Sequence, residues 1–72
     1  MGERFTRLID IWKATDSEAR AAEEVVSRAY EAVLRHQHSG PDEAQKQRAS
    51  ALRALADRQL AEALAHLSTI GQ

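Results

Sequence analysis

Only two internal helix breakers, Gly40 and Pro41, interrupt a chain of 72 residues. They stand in the stretch His38-Ser39-Gly40-Pro41-Asp42-Glu43. A glycine past one helix, a proline at the first position of the next and two acids in its opening turn predict a tight helix-to-helix connection. The remaining residues are mostly Ala, Leu, Glu, Arg and Gln, which favour helix, with few of the β-branched and aromatic residues that strands prefer. The expected fold is all-α: an antiparallel helical hairpin in one domain, residues 1–72, with a helix over about 3–37, a turn at about 38–41 and a helix over about 42–69.

Both halves carry an apolar stripe at steps of three and four residues. In the first half it runs through Leu8, Trp12, Thr15, Ala19, Ala22, Val26, Ala29 and Val33, widened by Ile11, Val25 and Tyr30. In the second it runs through Ala49, Leu52, Ala56, Leu60, Ala63, Leu67 and Ile70, flanked by Leu55 and Leu64. Thr15-Asp16-Ser17-Glu18 has the spacing of a capping box, which would split the first helix near residues 15–17 and leave a short extra helix at the N-terminus. Against this, the stripe keeps its phase through Thr15, which favours one continuous helix with Asp16 and Ser17 on its solvent face.

Composition decides how such a hairpin is stabilised. There are 14 alanines against 17 bulky apolar residues, so close, alanine-lined helix contacts are expected, with modest burial in each layer. A chain this short buries only about 60% of its unfolded surface, and with no cysteine it has neither a disulfide nor a thiolate metal site to reinforce it. Each stripe is wider than one partner helix can cover. The expected remedy is a helical bundle completed by a second copy or by a larger helical protein. The predicted interface comprises Phe5, Leu8, Ile11, Trp12, Val26, Val33, Leu52, Leu60 and Leu67. Trp12 has two roles open to it: packing against Leu60, Leu64 and Leu67 at the hairpin's open end, or anchoring another chain.

Charge narrows the function classes. Ten basic and eleven acidic residues give a net charge of -1, which argues against nucleic acid or an anionic membrane as a partner. Five acid-before-base pairs four residues apart (Glu3-Arg7, Asp16-Arg20, Glu24-Arg28, Glu31-Arg35 and Asp42-Lys46) predict a solvated, ion-paired face. A nucleic-acid reading would use Arg48, Arg53 and Arg58 with Lys46, yet Asp42, Glu43, Asp57 and Glu62 share their helix. No apolar run approaches the ~20 residues of a membrane span, and Met1-Gly2-Glu3-Arg4 lacks the apolar stretch of a signal peptide, so a cytoplasmic protein is expected.

Chemistry finds little support. His36 and His38 are about 200° apart on a helix, and His66 lies roughly 37 Å along the axis from the turn. Only an antiparallel dimer could join His36 to His66 and Glu62 as a shared metal site. Five serines lack a histidine at an activating spacing, and no glycine-rich loop cradles phosphate. The sequence thus predicts a non-enzymatic protein–protein interaction module with no cofactor: a small adaptor, co-chaperone or regulatory subunit.

The segment from Gly40-Pro41-Asp42-Glu43 through Leu67 resembles the small helical-hairpin co-chaperones of type III secretion needle proteins in length, turn position and a second helix rich in Gln, Ala and Leu. That resemblance implies a partner with stacked helical repeats that receives one face of the hairpin. Phe5, Leu8, Ile9 and Trp12 lie outside it.

Overall fold

The computed structural model describes residues 2–35 and 40–70, the last two by their backbone alone. Two helices account for it: α1, Gly2–Leu34, and α2, Glu43–Ile70, packed antiparallel in a rod of 55 × 16 × 14 Å. Among the described residues there is no strand. The expected all-α hairpin is the observed one. The predicted residues 36–39 of the first helix and turn, with His36 and His38, lie outside the described residues.

α1 runs unbroken through Thr15, Asp16 and Ser17. The Thr15 hydroxyl does not cap a new helix; it donates to the Ile11 carbonyl one turn back, at 3.3 Å. A hydroxyl occupied in this way leaves the helix intact. One expectation fails here. Asp16 is buried, while Ser17 is exposed.

α2 starts on a reciprocal cap. The Gln45 amide donates to Asp42 Oδ1 at 2.7 Å, and the Asp42 amide donates to Gln45 Oε1 at 3.0 Å. Asp42 is therefore the N-cap and Gln45 the third helical residue, which satisfies two otherwise orphaned donors. Pro41 precedes the cap instead of opening the helix, because the side chain that can cap belongs to the next residue. Gly40 has φ of +102°, in a region where side chains are strained, and a Cβ there would stand 3.2 Å from Val33 Cγ2.

The seam between the helices is built from small residues. Ala19, Ala22, Ala49, Ala56 and Ala63 are buried with Thr15, and among the described residues no large side chain is fully enclosed. Ala49, Ala56 and Ala63 recur every seven residues, so a single edge of α2 faces α1 throughout. Methyl-sized side chains let the two backbones approach closely but remove little apolar surface each. Ile11, Val25, Tyr30, Leu34, Leu64 and Leu67 consequently remain exposed.

Candidate functional site

An ion-pair clasp across the middle of the seam sets the register. Arg53 of α2 donates from Nη1 to Asp16 Oδ1 at 2.8 Å, and from Nε and Nη2 to Glu23 Oε2 and Oε1 at 3.0 and 2.9 Å. The contact to Glu23 is bidentate, the geometry in which a planar guanidinium is most selective. Arg20 holds the other oxygen of Asp16 at 2.9 Å. Asp16 and Glu23 are seven residues apart on one edge of α1, and Arg53 sits between their levels. With Gly40 level with Val33, this places residues whose numbers sum to about 73 opposite one another.

The clasp shifts its own ionisations. The hydrogen bond from Arg53 holds the Asp16 carboxyl below its ordinary 3.8, outweighing burial, with help from the charges of Arg20 and Arg53. The same donor holds Glu23 below 4.5 against partial burial and the nearby charge of Asp16. Arg53 is pushed further up, chiefly by Glu23 and then Asp16. All three are charged at neutral pH, so the group fastens the helices and has no proton to exchange there.

Pairing elsewhere is local. Glu24 binds Arg28 at 2.8 Å as expected, whereas Lys46 pairs with Glu43 at 3.2 Å instead of Asp42, whose carboxylate is committed to the cap. Of the arginines considered for nucleic acid, Arg53 is neutralised within the clasp, while Arg48 and Arg58 are exposed at separate positions around α2. His66 is half-buried, and among the described residues no group of three or more metal-ligating side chains comes together. Shallow depressions over the first turns of α1 are lined by Glu3, Arg4, Arg7 and Leu8, and by Gly2, Thr6 and Asp10 beside them.

The predicted interface residues divide by exposure. Phe5, Leu8, Trp12, Val26, Leu52 and Leu60 are half-buried; Ile11, Val33 and Leu67 are exposed. The register sets Trp12 level with Leu60 on the clasp side of the seam. Sequence reasoning did not single out Asp16, Glu23 and Arg53 as a unit, because the connection spans 30 and 37 residues. The available signal was the placement of all three beside the apolar stripes.

Rotation of about 100° per residue divides the hairpin into two flanks. One carries Asp16, Glu23 and Arg53 and is closed by the clasp at mid-length. The other carries Ile11, Glu18 and Val25 from α1 and Arg48, Leu55 and Glu62 from α2, with Leu52 nearer the seam. No ionic bridge crosses it among the described residues. Gln59 lies there too, its Oε1 buried without a hydrogen-bond partner.

No family model, no curated protein and no solved structure matches this chain. Among the described residues, no helix is long and apolar enough to cross a membrane. The geometry therefore defines a class at the level of architecture: an all-α hairpin with an ionic clasp on one side only and uncovered apolar residues on both, Tyr30 and Leu64 on the clasp side and Ile11, Val25 and Leu55 on the other.

Proposed function

We propose that this chain is a non-enzymatic protein–protein interaction module, working as a dimer or bound to a larger helical partner. The observation that carries this reading is the exposure of large apolar side chains along the whole rod: Ile11 at 45%, Val25 at 48%, Leu67 at 48% and Leu34 at 79%. Uncovered side chains of this size each forgo about 1–2 kcal/mol of burial, a large fraction of a small domain's stability in total. A protein surface that covers them recovers that free energy. The hairpin would serve in the cytoplasm as an adaptor, co-chaperone or regulatory subunit. The type III secretion co-chaperones it resembles in layout offer one model for how a stacked-helix partner would receive it.

Two measurements together test the reading. Sedimentation equilibrium at micromolar concentration reports whether copies associate. Affinity capture from the source cell, with Trp12→Ala and Val25→Asp as controls, reports whether another chain binds. Self-association, or capture of a helical protein lost on either substitution, supports the module. A monomer that unfolds cooperatively at a concentration-independent Tm and captures nothing overturns it.

A further inference from the structure

We propose that the flank opposite the clasp is a self-complementary interface, by which two copies of this chain pack antiparallel into a four-helix bundle with the turn of each beside the termini of the other. The proposal rests on the interaction-module reading and names its occupant. Ile11, Glu18 and Val25 recur every seven residues on α1, and Arg48, Leu55 and Glu62 do so on α2, so each set lines one edge with only about 20° of drift per step. Ile11, Val25 and Leu55 are 45%, 48% and 36% exposed, and Glu18, Arg48 and Glu62 are exposed as well. Within one hairpin the register sets Ile11 level with Glu62, Glu18 with Leu55, and Val25 with Arg48.

A two-fold axis perpendicular to the helices, at the level of Glu18 and Leu55, lays α1 on the partner's α1 and α2 on the partner's α2. Positions seven residues either side of the axis then exchange. Ile11 meets the partner's Val25, Val25 meets the partner's Ile11, and Leu55 meets the partner's Leu55. Arg48 meets the partner's Glu62, and Glu62 the partner's Arg48. Each contact is reciprocal, as a two-fold interface requires. An axis running along the helices would instead set Ile11 on the partner's Glu62 and Val25 on the partner's Arg48, burying charge against hydrocarbon. The pattern therefore selects the antiparallel arrangement. Its single discord is Glu18, which meets its own copy at the axis.

Surface area points the same way. The chain exposes 5505 Å² for a mass of 8.0 kDa. A compact monomer of that mass exposes about 4,450 Å² by the usual area–mass relation. The excess of about 1,000 Å² is comparable to the roughly 800 Å² that each partner contributes to a standard interface. A charge of -1 on each copy adds little repulsion.

Sedimentation equilibrium of the full chain tests the arrangement, with helical content followed by circular dichroism to separate folding from assembly. The wild type is expected at twice its 8.0 kDa mass at micromolar concentration. Val25→Asp should weaken the dimer at least about a hundredfold by placing an unpaired charge in the interface. Arg48→Glu should weaken it about tenfold, and adding Glu62→Arg to the same chain should restore it. Glu18→Gln should tighten it by removing the like-charge pair. The chain has no cysteine of its own, so oxidised Leu55→Cys should yield a disulfide-linked dimer where Arg58→Cys does not. A helical monomer at the highest concentrations reached, or a dimer indifferent to these substitutions, overturns the proposal. A monomer that still captures a helical partner, and loses it with Val25→Asp, sinks self-association while leaving the interaction-module reading in place.

Discussion

The two flanks of this hairpin are made from the same two helices, and both leave apolar side chains exposed, Tyr30 and Leu64 on one and Ile11, Val25 and Leu55 on the other, but only one is bridged. On one, Arg53 reaches across to Asp16 and Glu23 and closes the seam at mid-length. On the other, Ile11, Val25 and Leu55 stand uncovered, and among the described residues no ionic bridge joins the helices. The difference teaches that orientation and exposure are handled separately. A directional, charge-assisted contact selects one register out of the several that a repetitive alanine seam would tolerate. Non-directional apolar surface remains for another chain to cover.

The sharpest way to break the comparison is to pry the flanks apart at the seam they share. Ala56 is completely buried, so Ala56→Leu should force the backbones apart and cost about 1–3 kcal/mol, read as a lower Tm at fixed protein concentration. Replacing Arg53 should give a smaller fall. Arg53→Met removes the clasp while keeping much of the side-chain volume, and thermal melts at pH 7 should show reduced stability, since Asp16 retains Arg20 and the 43%-exposed Glu23 can return to water.

Acid titration of the wild type beside Arg53→Met isolates the share of the clasp. Both carboxyls are depressed in the folded chain, so their contribution is fully present above the ordinary values of 3.8 and 4.5 and is lost as pH falls through the lower folded values. Arg53 stays protonated throughout and adds no slope in this range. Wild-type Tm should therefore be level from neutral down to about pH 5 and drop below it. Arg53→Met should flatten that drop; an equally steep acid slope in the variant would show that the clasp does not carry it.

Two smaller effects sharpen the contrast. On the open flank, Gln59→Met should raise stability by up to about 1 kcal/mol, because it removes a buried oxygen without a partner and keeps the side chain's length. Glu24→Ala loses only the exposed pair with Arg28, 2.8 Å apart, and should cost a few tenths of a kcal/mol in chemical denaturation. A cost as large as that of Ala56→Leu would mean that surface pairing contributes more to this fold than its geometry implies.

Much of the architecture was legible from local pattern. Gly40 and Pro41 mark the connection, and the stripe through Ala49, Ala56 and Ala63 correctly identifies the edge of α2 that faces α1. Continuity through Thr15 followed from the phase of the first stripe. Pro41 stands two residues before the first helical position it is expected to fill, since the composition of the turn does not reveal which side chain closes the cap. Asp16 was misplaced for a deeper reason: periodicity sorts charged residues outward, and a carboxylate at the seam is tolerated only because a guanidinium far along the chain meets it.

By itself the sequence determined the helices, the single reversal and the small-residue seam, because these depend on propensities and spacings within a few turns of chain. Tertiary structure alone decided the relative height of the helices, the union of Asp16, Glu23 and Arg53, and the sorting of apolar side chains between seam and surface. Each of those depends on which residues of two distant segments stand level. Positions that are interchangeable in a repeating pattern become distinct only when a short-range, directional contact brings them within about 3 Å.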